Sequence, residues 1–221
     1  MDMSQPRHCS YQKTDHNGDC TDTIPLIAPP SIDTSATPPV EYRGITLHQL
    51  RAVKANVRRL CVKEEWTDRH DVLLTPEAVT LYDVNKYIIV PFTKEAKKSF
   101  VTCLPSTAGP QPPRFFMSHW WGESVADFIK CLEQAVRDFA RNHTDEDDRR
   151  GGGMTADTPV WICAYGNNQH SLGDDITTDP KDSGFAKAME VSKGRTMTIL
   201  DKGGIVFTRV WCVFELFMTL V

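Results

Sequence analysis

The last apolar segment of the sequence, Arg209 to Val221, carries one ionisable residue beyond its first turn, and that residue is Glu215. A helix that is apolar all round is expected to be buried, and an unpaired carboxylate is costly to bury. Glu215 is therefore predicted to be protonated, paired with a cation such as Arg209, or turned toward a cavity. Trp211 lies one turn earlier on the same helix face. An aromatic ring beside a carboxylate suits a ligand ring that carries or develops positive charge.

A second group of chemically active residues follows the first predicted strand of the main domain, in the order Ser118, His119, Trp120, Trp121, Gly122 and Glu123. Ligands of open parallel sheets bind beyond the carboxyl ends of the strands. Ser118 and His119 do not form a catalytic dyad on this pattern, because neighbours on a strand point to opposite faces. No nucleophile elbow GxSxG surrounds Ser118. Trp120 and Trp121 are either core anchors or a stacking wall for a ligand.

A third group is the polar loop at 167–176, which contains Asn168 and Gly173 and follows the second predicted strand. Binding residues concentrate in such loops. The alternative is a surface loop in which Asn and Gly serve turns.

Composition excludes several classes of protein. The chain has 221 residues and a net charge of −4, without the basic excess of a nucleic-acid binder. Neither GxGxxG nor GxxxxGKS occurs, and the seven Cys form no CxxC pair and no zinc-ligand spacing. No cofactor or metal is therefore expected. The N-terminus has no signal-peptide pattern and no segment resembles a membrane span, which favours a cytoplasmic protein.

The chain is predicted to divide into four parts. Residues 1–40 contain six of the 14 Pro and few large apolar residues, as in a disordered leader. Residues 41–104 form a small segment of helices and a strand, and residues 105–113 a Pro-rich connector. Residues 114–221 form the main α/β domain.

Three patterns predict the elements of the segment 41–104. Thr46 and Gln49 form a capping box before an amphipathic helix. Thr75, Pro76 and Glu77 are typical of a second helix start, and residues 87–90 are typical of a short buried strand. This segment offers no chemistry, and a packing role is expected.

Strands alternate with helices in the main domain. The predicted strands are 114–119, 160–164 and 196–200. The predicted helices are 124–141, capped by Ser124 with Asp127 three residues on, 185–192, and 209–221, capped by Thr208. This alternation indicates a parallel sheet with right-handed crossovers. A polar insertion at 142–158 is expected to be a solvated loop.

Three segments resemble a TIR (Toll/interleukin-1 receptor homology) domain over about residues 114–221. They are FFMSHWWGESVADFIKCLEQAV from Phe115, LGDDI with the later FAKAMEVSKGRTMTIL, and TRVWCVFEL from Thr208. The last segment is similar to the WCxxEL pattern that opens a helix in plant-type TIR domains. A TIR domain continues through two more strands, so the resemblance implies a C-terminally incomplete domain, or a sheet completed elsewhere, for example by the strand at 87–90.

The resemblance implies a flavodoxin-like fold and, in some TIR domains, NAD+ glycohydrolase activity in signalling or defence. The catalytic Glu of those enzymes lies four residues after a Trp, which corresponds to Glu215 and Trp211 here. The implied reaction breaks the bond between nicotinamide and ribose through an oxocarbenium-like transition state. The expected substrate-binding residues are Trp211, Ser118, His119, Trp120, Trp121, Gly122, Asn168 and Gly173.

Two other functions remain open from the sequence. Many TIR domains act by self-association or by binding other TIR-like domains, without catalysis. A nucleotide-binding protein without turnover would use the same pocket as the enzyme. Glu215 facing a cavity favours the enzyme, whereas a paired Glu215 with an exposed apolar patch favours the interaction module.

Overall fold

A computed structural model describes residues 9–14, 20–27, 37–105, 107, 109–141, 153–175 and 182–220. Within these ranges, residues 9–14, 20–27, 174, 175 and 220 are described by their backbone alone.

A three-stranded parallel sheet lies at the centre of the fold. The chain also forms an N-terminal antiparallel pair, β1 (Cys9–Thr14) and β2 (Cys20–Ile27). In the central sheet, β3 (Phe115–Ser118) lies between β4 (Val160–Trp161) and β5 (Thr196–Thr198). The parallel pairing confirms an α/β fold.

The helices follow in chain order: α1 (Leu47–Lys63), α2 (Leu81–Val84), α3 (Val90–Thr93), α4 (Phe100–Cys103), α5 (Val125–Arg141), α6 (Cys163–Gly166), α7 (Leu172–Asp175), α8 (Gly184–Val191) and α9 (Val210–Leu220). A π-helical turn (Asn85–Ile89) joins α2 to α3, and 3-10 turns occupy Val40–Tyr42 and Ile205–Thr208.

Alternation along β3 sends its side chains to two different layers. Phe116 stacks on Trp161 with ring centroids 5.3 Å apart and also meets Phe185 of α8. Phe115 and Met117 belong instead to the larger core that contains residues of α1 and α5. Helices therefore cover both faces of the sheet, as the side-chain period of two along a strand requires.

The starts of the two long helices confirm the capping predictions. The Gln49 backbone N–H donates to Thr46 Oγ1 at 3.2 Å, and the Thr46 N–H donates to Gln49 Oε1 at 2.9 Å. At α5, the Asp127 N–H donates to Ser124 Oγ at 3.4 Å. An ion pair of 2.9 Å between Arg51 and Glu133 joins the two helices.

Two predictions for the segment 41–104 are wrong. Residues 87–90, predicted as a strand, are helical, because Leu81, Val84 and Ile88 recur at helical spacing and all are buried. The helix expected at Thr75 does not begin there. Residues 76–78 form a turn, and the helix begins at Leu81, where the N-cap residue Thr80 and Asp83 form a capping box. The strand at 87–90 is thus unavailable to complete the sheet.

The elements of the main domain occur at the predicted places with shorter strands. β4 ends at Trp161 because the chain turns into α6 two residues later. The final helix begins at Val210, after a 3-10 turn in which Thr208 donates to the Ile205 carbonyl. Thr208 therefore closes this turn and does not cap α9.

One cluster of buried side chains contains residues from Ile45 to Leu104 as well as residues from Phe115 to Ile199. Ile45 also pairs with Val160 through two backbone hydrogen bonds of 2.8 and 2.9 Å. The first segment therefore shares its core with the sheet and borders the β4 edge.

Several predictions fall partly outside the described residues. In the segment 1–40, where composition predicts disorder, β1 and β2 and residues 37–40 are described and the rest is not. Most of the polar insertion, residues 142–152, also lies outside. Over the residues that are described, no helix combines the length and apolar character needed to cross a membrane.

Candidate functional site

Glu215 lies on the inner side of α9, at the carboxyl end of the central strand. It is 5% exposed, and its Oε2 atom has no hydrogen-bond partner. Among the described residues, no cation forms an ion pair with it, so the predicted pairing with Arg209 does not occur. Desolvation raises the pKa of this carboxyl from 4.5 to about 7.

Ser118 is the last residue of β3 and is completely buried. Its hydroxyl lies beside both Glu215 and Cys212, and it lowers the pKa of each of these groups. Ser118 Oγ nevertheless lacks a direct hydrogen bond of good geometry. The hydroxyl is thus close enough to influence the carboxyl electrostatically and is still able to accept or donate another hydrogen bond.

His119 and Glu123 form a second ionisable group at the end of β3. His119 Nδ1 lies 3.4 Å from Glu123 Oε1, and the two side chains are 2% and 9% exposed. The imidazole packs against the Phe128 ring of α5 at a centroid distance of 4.8 Å. Neither imidazole nitrogen has a hydrogen-bond partner of good geometry. This ring lies on the α5 side of the sheet, and the Ser118 hydroxyl lies on the α9 side.

Two thiols border the same region. Cys163 Sγ accepts a hydrogen bond of 3.0 Å from the Trp121 indole nitrogen, and burial raises the pKa of this thiol to about 12. Cys212 Sγ donates to the His119 carbonyl oxygen at 3.6 Å, and burial also raises its pKa. Both thiols therefore stay protonated at neutral pH and act as packing groups.

The three tryptophans near the site have different surroundings. Trp211 is 48% exposed and stacks on Phe185 with ring centroids 5.9 Å apart. Trp121 is partly buried beside Cys163 and Tyr82. The Trp120 indole covers Gly122, where an added Cβ would lie 2.2 Å from the ring. Trp121 is thus a core anchor, while Trp211 presents ring surface to solvent beside the site.

The loop at 167–176 is held by the first segment of the chain. Asn168 donates to the Lys97 carbonyl oxygen at 2.8 Å, and His170 Nε2 lies 2.9 Å from Thr93 Oγ1. Gly173 is exposed in α7. The contacts of Asn168 and His170 therefore lead to the first segment of the chain.

Unpaired polar atoms are concentrated at the end of β3. Ser118, His119, Glu123 and Glu215 contribute five buried nitrogen and oxygen atoms without a hydrogen-bond partner. Each such atom costs about 1–3 kcal/mol when it stays unpaired. A cluster of unpaired polar atoms marks a place where a polar ligand or water can supply the missing hydrogen bonds.

Sequence reasoning gave no individual role to two residues of this region. Glu123 carried no predicted role, although it lies four residues after His119; the turn at 120–124 brings the two together. Cys212 stands out in the sequence only as part of the apolar final helix and of the WCxxEL pattern. In the described part of the chain, no three His, Cys, Asp or Glu residues are arranged to hold a metal ion.

Comparisons with family models, with curated proteins and with solved structures gave no match to this chain.

Proposed function

We propose that this chain is a TIR-like, flavodoxin-like domain that hydrolyses NAD+ at the nicotinamide–ribose bond, with Glu215 as its catalytic residue. The observation that supports this most is the buried Glu215 carboxyl, which lies at the carboxyl end of the central strand and forms no ion pair with a cation among the described residues. Ligands of parallel α/β sheets bind at this edge.

The electrostatics of Glu215 suit a substrate that becomes positively charged. With a pKa of about 7, both the neutral and the ionised form of the carboxyl are populated at neutral pH. A cationic ribosyl centre would favour the ionised form, and a desolvated carboxylate interacts with such a charge more strongly than a solvated one does. Nicotinamide leaves as a neutral molecule, so no strong acid is needed.

Neighbouring side chains supply the other interactions of this proposal. The Ser118 hydroxyl is positioned to hold the carboxylate or a ribose hydroxyl. The exposed ring of Trp211 offers a stacking surface for the nicotinamide or adenine ring.

The test is nicotinamide release from NAD+ by the purified protein, by Glu215→Gln and by Glu190→Gln. Glu190 is an exposed carboxyl on α8 and serves as the matched control. We expect Glu215→Gln to reduce release by about 100- to 1000-fold, with unchanged circular dichroism and full activity in the control. Equal release by parent and Glu215→Gln would contradict the role of this carboxyl. Binding of NAD+ without release, retained in Glu215→Gln, would favour nucleotide binding without turnover.

A second candidate function, self-association, is favoured by the outer face of α9. Val210, Val213 and Phe217 are 82%, 47% and 57% exposed, while the only charged residue of this helix, Glu215, faces inward. An exposed apolar face of this kind is typical of an interaction surface.

Sedimentation velocity over a wide concentration range tests this second candidate. If copies associate through α9, Phe217→Glu will remain monomeric where the parent forms larger species. Val62→Glu is the control, because Val62 is a 66% exposed apolar residue on α1. A parent that is monomeric throughout would exclude this association.

A further inference from the structure

The imidazole of His119 is placed as an oriented base. Its Nδ1 faces Glu123 Oε1 at 3.4 Å. A carboxylate on this side favours the tautomer with the proton on Nδ1, which leaves the lone pair of Nε2 available. Nε2 is buried and has no hydrogen-bond partner.

The surroundings restrict this ring to one position. The Phe128 ring packs against it at a centroid distance of 4.8 Å. The side chains of His119 and Glu123 are both more than nine-tenths buried. Among the described residues, two thiols lie near this pair. Cys131 on α5 experiences the charge of Glu123, and Cys212 on α9 donates to the His119 carbonyl oxygen. No Lys or Arg among the described residues forms an ion pair with Glu123, so His119 is the basic side chain that this carboxyl faces.

His119 and Glu215 flank the same strand end from opposite layers. Ser118, the residue before His119, lies beside Glu215. The His119 carbonyl oxygen contacts Cys212, one turn before Glu215. A ligand that lies across the end of β3 would therefore have the carboxyl on its α9 side and the imidazole on its α5 side.

We propose that His119, oriented by Glu123, is the base that takes a proton from the water molecule that attacks the ribose; this inference rests on the proposed NAD+ hydrolysis. The bond between the anomeric carbon and the pyridinium nitrogen breaks, and its electron pair stays on the nitrogen of the departing neutral nicotinamide. A water oxygen then bonds to the cationic anomeric carbon. One water proton passes to Nε2 of His119 and from there to solvent, which leaves ADP-ribose.

The test separates attack by water from attack by a nucleophile that needs no base. Isotopically labelled nicotinamide can attack the same cationic carbon and regenerate NAD+ without losing a proton. For His119→Gln we expect ADP-ribose formation to fall by about 100-fold or more. Exchange of labelled nicotinamide into NAD+ should stay within about threefold of the parent. Glu123→Gln should change the ratio of the two reactions in the same direction, and Glu190→Gln should not change it.

The ratio of hydrolysis to exchange distinguishes this inference from the proposed function. An unchanged ratio in folded His119→Gln or in Glu123→Gln would overturn the role of His119 alone. A parent with neither reaction would overturn the proposed function and this inference with it.

Discussion

Glu215 couples the stability of the protein to pH. Its pKa is raised from 4.5 to about 7 because the ionised form is desolvated in the folded state. The unfolded chain therefore ionises first as the pH rises. The free energy of unfolding is therefore highest below about pH 4.5, where the carboxyl is neutral in both states. This contribution is lost as the pH rises through about 7.

Replacing Glu215 by Gln should remove this pH dependence. The rise of the Glu215 pKa to about 7 lowers the free energy of unfolding by about 3 kcal/mol at alkaline pH. We expect Glu215→Gln to be more stable than the parent by up to this amount at about pH 8 and of similar stability at about pH 4.5. Urea unfolding of both proteins at the two pH values measures the difference. A constant difference in stability at both pH values would contradict the prediction.

The hydroxyl of Ser118 partly offsets the desolvation of Glu215, because its interaction lowers the pKa of that carboxyl. Ser118→Ala should therefore raise the pKa of Glu215 further. Carbon-13 NMR titration of the glutamate carboxyl groups measures the change. The exposed Glu190 is the internal control, and its carboxyl signal should not differ between the two proteins. A lower Glu215 pKa in Ser118→Ala would show that the hydroxyl does not stabilise the ionised carboxyl.

At the scale of elements, the turn between β3 and α5 depends on a residue without a side chain. Gly122→Ala would place its Cβ 2.2 Å from the Trp120 ring, so the indole must move. We expect a loss of about 1–3 kcal/mol in unfolding free energy and a change in tryptophan fluorescence. Gly173→Ala is the matched control, because no atom of the described residues beyond its chain neighbours and its own helix backbone lies within 4 Å of its added Cβ. Equal stability of the two variants would show that Trp120 moves without cost.

The elements also show which features can be read from a sequence. The start of α1 was predicted correctly, because Thr46 and Gln49 form a local motif whose hydrogen bonds depend on four residues. The burial of Glu215 followed from the apolar residues around it. Residues 87–90 were predicted wrongly, since a short apolar run fits a buried helix as well as a strand. The pair formed by His119 and Glu123 depends on the path of the turn between them, which no periodicity predicts.

At the scale of the whole molecule, the shared core implies cooperative unfolding. Leu50 of α1 is completely buried in the cluster that also contains residues of the sheet. Leu50→Ala should lower the unfolding free energy by about 2–5 kcal/mol. Far-ultraviolet circular dichroism and tryptophan fluorescence should shift together in this variant. Two separate transitions would show that residues 41–104 and the sheet unfold independently.

The turn that carries Glu123 is attached to the first segment by three hydrogen bonds. The Leu81 N–H donates to the Trp121 carbonyl at 3.0 Å, and the Val125 N–H donates to the Val79 carbonyl at 3.0 Å. Ser124 Oγ donates to the Glu77 carbonyl at 2.7 Å. A single-residue insertion or deletion between 77 and 81 would shift this backbone register and move the turn, although it alters none of the residues of the site. Divergent descendants of this chain should therefore keep the length of that stretch constant even where its side chains vary.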